Sequence, residues 1–169
     1  MKKLPKLLII GHGRHGKDTV CEILQEQYGY NFRSSSHFCA EKLVYPLLKD
    51  IYNYSSYQEA YDDRHNHRSE WYNIIHDYCN DDHARLGREI FAEYDIYCGL
   101  RNKKEFHAMR NTGVFDYAIW VDRSDHLPPE DPKSMTLQIW MADYIIDNNG
   151  NLADLKKNTC DLVSHILSK

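Results

Sequence analysis

No apolar run in this 169-residue chain approaches the roughly 20 residues that a membrane span requires. The first ten residues carry the lysines of a secretion signal. Their apolar segment, residues 7–10, is too short for one, and no small-residue cleavage site follows. C-x-x-C spacing is absent. The five cysteines (Cys21, Cys39, Cys79, Cys98, Cys160) are odd in number, which suits reduced thiols in a cytoplasm rather than a disulfide frame or a zinc site. The ten histidines are scattered, and the closest pair, His65 and His67, has no third ligand at useful spacing, so no structural metal is expected. Positive charge is not in excess. With 21 basic against 25 acidic residues, a formal charge of -4 and a pI near 6.2, a sequence-independent grip on nucleic acid is excluded. Low-complexity tracts, internal repeats and linker-like stretches are also missing, which leaves a single domain over residues 1–169.

What is present alternates between strand and helix. Residues 6–10 form an unbroken apolar run that ends in a glycine-rich turn, the pattern of a buried strand. From residue 17 to 28, Val20, Ile23, Leu24 and Tyr28 recur at helical spacing, and Gly29 ends the helix. Strands are expected at 30–33, 95–98, 114–121 and 144–146, and helices at 40–52, 68–78, 83–94, 103–111 and 152–167. Residues 122–133 contain Pro128, Pro129 and Pro132 and read as a loop, with a short lid over about 122–135. Such alternation predicts a three-layer α/β fold with a mostly parallel five-stranded sheet covered on both faces. The tyrosine-rich, charged stretch 52–82 has no strand pattern and reads as a helical insertion.

Gly11-His12-Gly13-Arg14-His15-Gly16-Lys17-Asp18-Thr19 fits G-x-x-x-x-G-K, with a hydroxyl residue one place later than usual. Glycines let successive N–H groups turn toward phosphate oxygens, the helix that follows offers its unpaired N–H groups to the same anion, and Lys17 adds a mobile charge. An apolar strand precedes the match and an amphipathic helix follows it, as the motif requires. The residue after the lysine ordinarily carries the hydroxyl that meets Mg²⁺. Here Asp18 stands there and Thr19 is next. Asp18 is read either as the holder of a magnesium-bound water or as a first-turn acid favoured by the helix dipole.

The G-K-x-T frame resembles adenylate kinase and its relatives, and the G-K-D-T form resembles the phage-type deoxynucleoside monophosphate kinases. Tyr97-Cys98-Gly99-Leu100-Arg101 resembles the strand-end D-G-x-x-R of those kinases. Gly99 and Arg101 match, and the carboxylate is missing. Ala142-Asp143-Tyr144-Ile145-Ile146-Asp147-Asn148-Asn149-Gly150 resembles the A-D-x-x-I-x-N-x-G of dephospho-CoA kinases and phage nucleotide kinases. The matched motifs cover about a third of the chain in the expected order. The resemblance implies a P-loop kinase that uses ATP with Mg²⁺ and a nucleoside monophosphate as acceptor, in a viral nucleotide-salvage setting, as a monomer or homodimer in the (host) cytoplasm, with no nucleic acid or membrane partner.

On that resemblance the ATP phosphates lie on Gly13, Arg14, His15, Gly16, Lys17, Asp18 and Thr19, and Mg²⁺ lies on Thr19 and Asp18, directly or through water. Asn149 lies on the adenine side. Arg101 sits at the carboxyl end of a parallel strand, where such sheets bind ligands, and is read as an acceptor-phosphate ligand. Arg64 and Arg68 share a face if helical, beside Trp71, so they could hold the acceptor phosphate while the indole stacks its base. Arg123 opens the lid and is read as bridging the transferring group. Lys17, Asp18, Arg101 and Arg123 are thus the catalytic candidates. Two further readings stand beside this one. One is a kinase with an alcohol acceptor, such as dephospho-CoA kinase. The other is a nucleotide-binding module that transfers nothing.

Overall fold

The computed structural model describes residues 3–169; Met1 and Lys2, with which the signal-like stretch begins, lie outside the described residues. Among the described residues, β1 (Leu7–Ile10), β2 (Phe32–Ser34), β3 (Ile96–Cys98), β4 (Tyr117–Asp122) and β5 (Tyr144–Asp147) form one sheet in the order β2-β3-β1-β4-β5. Every pairing is parallel, with Leu8 of β1 opposite Tyr97 on β3 and Ala118 on β4.

The central strand is apolar throughout because helices cover both of its faces. Leu7 and Ile9 pack with Val20 and Leu24 of α1 (Lys17–Tyr28) and with Leu155 and Val163 of α8 (Leu152–Leu167). Leu8 and Ile10 point the other way, into a core with Phe38, Leu86, Phe106 and Trp120. Burial of each such side chain contributes about 2 kcal/mol. Gly29, at φ 75°, closes α1 with its N–H on the carbonyl of Gln25. Asn151 and Asp154 bond each other's backbone N–H to open α8.

Between β2 and β3 the chain is helical: α2 (Ser35–Cys39), a π-type turn (Ala40–Val44), α3 (Tyr45–Tyr52), α4 (Tyr57–Asp62), a 3₁₀ turn (Asp63–Asn66), α5 (Arg68–Cys79) and α6 (Arg85–Glu93). The first of these begins at Ser35, ahead of the helix expected from residue 40. Ser34 accepts a hydrogen bond from the N–H of His37 and starts it, so residues left unassigned between strand and helix supply a cap and a first turn. The strand expected from residue 114 begins instead at Tyr117, because Asp116 is spent on Lys6: its carboxylate accepts from the Lys6 N–H at 2.7 Å.

Strands β1 and β3 are neighbours, but the helices that follow them lie on opposite faces. α1 packs in the α8 layer, and α7 (Lys103–Thr112) sends Phe106 and Met109 into the other core. Their connections therefore part at the carboxyl end of the sheet and leave a crevice, the place where open parallel sheets take ligands.

The first glycine of the turn after β1 is required by both backbone and space. Gly11 adopts φ 143°, and a Cβ there would sit 2.6 Å from the carbonyl oxygen of Val121 on β4. Gly11→Ala is expected to lower folding stability by on the order of 3 kcal/mol, read as a fall in the urea midpoint. An unchanged midpoint would show that the turn can relax away from β4.

Candidate active site

The loop from Gly11 to Gly16 joins β1 to α1 and is held from behind by buried polar contacts. His15 is fully buried, and its Nδ1 accepts the N–H of Arg123 at 3.0 Å. The carbonyl of His15 accepts from Nδ2 of Asn148, itself buried, at 2.9 Å. Gly16 sits at φ 99° with Asn148 packed against it so closely that a Cβ would lie 2.4 Å from that same nitrogen. The loop's position is thus set by the residues that follow β4 and β5. Asn148 is the fixed asparagine of the A-D-x-x-I-x-N-x-G pattern, but the sequence reading placed Asn149 at the site, and the role of Asn148 became visible only through packing.

Lys17, the first residue of α1, donates from Nζ to the carbonyl of His12 at 2.8 Å, curling its ammonium over the loop. Its pKa is lowered, first by burial and also by the nearby Arg101. A cation held against its desolvation cost gains most from an arriving anion.

A cavity of about 620 Å³ adjoins the loop. Gly13, Arg14, Lys17 and Asp18 line its loop side, and Arg101 and Arg64 also line it. Trp71, Ile75, Leu86 and Tyr97 supply apolar wall. Its volume lies within the roughly 300–1,000 Å³ of small-molecule sites. Asp18 accepts from the Cys98 thiol at 3.5 Å, so this carboxylate of α1 stands beside the end of β3, where the strand itself offers none. Tyr97, in that strand, is buried, and burial raises its hydroxyl well above the usual phenol range.

The structure brings some of the predicted arginines to the cavity and leaves others aside. Arg101 and Arg64 line it; Arg64 stacks on the Tyr61 ring at 3.9 Å and donates to the Tyr61 carbonyl at 2.8 Å. Arg68 is exposed and lies in a separate surface depression with Ser69, Tyr72 and Asn73. Arg123 donates from Nη1 to the Asn148 carbonyl at 2.6 Å, which ties it to the turn after β5. Asn149 is engaged with Asp147 at 2.7 Å and with the N–H of Asp125 at 3.0 Å. Thr19 lies in the first turn of α1, partly buried.

A residue the sequence reading passed over lies closest to the loop. Glu130, in the proline-rich segment after β4, is hydrogen-bonded through its carboxylate to Arg101. Its N–H donates to Nδ1 of His12 at 3.1 Å, so that imidazole is neutral, consistent with the lowering of its pKa by burial and by His15. Glu130 Oε1 comes within 3.2 Å of the point where a Cβ on Gly13 would stand, and Oε2 is buried without a hydrogen-bond partner. A carboxylate therefore lies against the glycine turn and is paired with Arg101.

Magnesium fits this donor set only together with a nucleotide. Mg²⁺ keeps several waters and takes one or two protein oxygens plus substrate phosphates. Asp18 and Thr19 could give those oxygens, and among the described residues no group of three His, Cys, Asp or Glu side chains could hold an ion alone.

The Glu130 contact can be tested. Glu130→Gln removes a negative charge from beside the loop, so titration calorimetry should show ATP binding tightened by about tenfold. Unchanged or weakened affinity would contradict this placement.

No protein-family model matches the chain. No curated protein matches it either. Solved structures do. Shikimate kinase from Bacteroides thetaiotaomicron superposes with a TM-score of 0.54 at 8% identity, covering 99% of this chain and 100% of that one. Shikimate kinase from Acinetobacter baumannii, in complex with shikimate, gives 0.53 at 15% identity over 99% and 95%. A gluconokinase from Sinorhizobium meliloti gives 0.50 at 12% identity over 96% and 93%. Together with the parallel sheet, its strand order and the glycine-rich turn after β1, these likenesses show that the chain has the α/β fold of the P-loop kinases.

Proposed function

We propose that this protein is an ATP-dependent kinase whose acceptor is a nucleoside monophosphate, with deoxynucleotides as the first candidates. The observation that carries the reading is the juxtaposition of the glycine-rich turn and Lys17 with a cavity that has cations at its near end and Trp71 in its wall. A mononucleotide has that polarity, anionic at one end and flat and aromatic at the other. The likeness of G-K-D-T and of the Gly99–Arg101 pair to phage nucleotide kinases supports it.

In this reading the N–H groups of residues 13–19 and the ammonium of Lys17 hold the ATP phosphates. Arg101, released from Glu130, holds the acceptor phosphate in line, with Arg64 beside it. An oxygen of the acceptor phosphate attacks the γ-phosphorus, and the bond from that phosphorus to the β–γ bridging oxygen breaks. The acceptor phosphate is already ionised, so no base is needed. Asp18 and Thr19 would hold Mg²⁺, which when bound neutralises charge on the β- and γ-phosphates. Arg123 stands at the root of the segment that carries Glu130. Closure of that segment over the cavity excludes the water that would otherwise hydrolyse ATP.

One observation favours a second reading. Asp18 stands at the cavity with its carboxylate beside Cys98, where it could act as general base for an alcohol acceptor. A coupled assay of ADP formation across monophosphates and polyols separates the two. Turnover with a monophosphate supports the first, turnover only with a polyol supports the second, and ATP binding with no turnover on any acceptor leaves a binding module.

Two substitutions follow. Lys17→Ala should lower kcat at least about a thousandfold without lowering the melting temperature, since it removes a cation that is held against its desolvation cost; retained activity would refute its role. Arg101→Ala should raise KM for the acceptor about tenfold or more and leave KM for ATP within about twofold. Equal losses for both substrates would assign Arg101 to the donor or to the fold.

A further inference from the structure

The cavity ends on a carboxyl group that phosphoryl transfer does not use. Glu105 lies in the first turn of α7 and lines both the 620 Å³ cavity and an adjoining one of about 460 Å³ that contains Tyr72, His76 and Thr136. At this position, three residues after the cap Asn102, a glutamate commonly reaches back to the N–H of the cap residue. Glu105 does not. Asn102 accepts from the N–H groups of Lys104 and Glu105, and no reciprocal bond from the Glu105 carboxylate is formed among the described residues.

The side chain is instead turned inward, near Cys39 and Tyr97, with the Cys79 thiol as its hydrogen-bond partner, and it makes no ion pair among the described residues. A carboxyl without a cation in an apolar wall costs stability unless something else uses it. Arg101, the nearest cation of the cavity in sequence, is committed to Glu130.

We propose that Glu105 reads the acceptor: its carboxyl forms a two-point hydrogen bond with the edge of a planar heterocyclic base, one atom of which donates while its neighbour accepts. The inference rests on the monophosphate reading above and adds the group that selects among such acceptors. Geometry supplies the argument. The phosphate end of the cavity is fixed by Lys17 and Arg101, and Trp71 and Ile75 provide flat apolar wall. Glu105 is the carboxyl on the wall that also carries Tyr97 and Leu86. A sugar placed between the two ends brings a base edge, not a hydroxyl cluster, against it. Burial raises the Glu105 carboxyl to about 7, so near neutrality it exists partly as the acid, which offers a donor and an acceptor side by side. Every nucleobase has an adjacent donor and acceptor on its pairing edge, and a polyol has no planar edge to match. Sites that hydrogen-bond a substrate group in this way discriminate strongly, because the wrong partner leaves buried polar atoms unpaired.

The test compares the parent enzyme with Glu105→Leu and Glu105→Gln on four deoxynucleoside monophosphates and on deoxyribose 5-phosphate, an acceptor without a base. Glu105→Leu should lower kcat/KM for the preferred monophosphate by about 100-fold or more, while KM for ATP and turnover of deoxyribose 5-phosphate stay within about twofold. Glu105→Gln keeps a donor and an acceptor and should retain activity within about tenfold. Loss of monophosphate and abasic turnover alike would assign Glu105 to the fold and overturn the proposal. Full activity of Glu105→Leu on the preferred monophosphate would also overturn it while leaving the kinase reading intact. A parent enzyme that phosphorylates none of the monophosphates would overturn the kinase reading itself, and the role of Glu105 with it.

Discussion

The structure depends on holding the turn between β1 and α1 in one conformation, which a short glycine-rich segment cannot do alone. In this protein the turn is fastened from its far side. His15 takes the amide of Arg123, Asn148 gives its amide to the His15 carbonyl, and Gly16 has no side chain so that Asn148 can reach it. Each of these partners comes from the residues following β4 or β5, so the anion-facing geometry is a property of the whole sheet edge. The helix α1 then adds its own amide ends to the same side.

The second constraint is electrostatic. Lys17, Arg101, Arg64 and Arg14 gather positive charge in one crevice of a chain whose formal charge is -4. Without an anion such a cluster repels itself, and Glu130 relieves it by pairing with Arg101 beside Gly13. The same pair fastens the proline-rich segment against the glycine turn.

Much of the fold was legible in the residues because its signals are local. Leu7 to Ile10 could only be a doubly covered strand, Gly29 and Asn151 marked helix ends, and the spacing from Gly11 to Lys17 announced the turn. Signals that depend on long-range partners were not legible. The helix start at Ser35 rests on the Ser34 cap on His37, and β4 began late because Asp116 is engaged by Lys6. The site divides in the same way. Lys17, Asp18, Arg64, Trp71 and Arg101 meet at one cavity, while Arg68 and Arg123 look equivalent in sequence and differ by what their neighbours offer them. Glu130 and Glu105 carry no motif, and Asn148 lies in one that did not reveal its role. Burial and contact alone single them out.

The central claim is that the turn between β1 and α1 cradles a triphosphate. It is tested most directly by titrating ATP into the folded protein in a calorimeter, with and without Mg²⁺. The account predicts one site per chain, with an affinity that strengthens when the metal is present and is competed by ADP. A well-folded sample that takes up no nucleotide in either condition would contradict it.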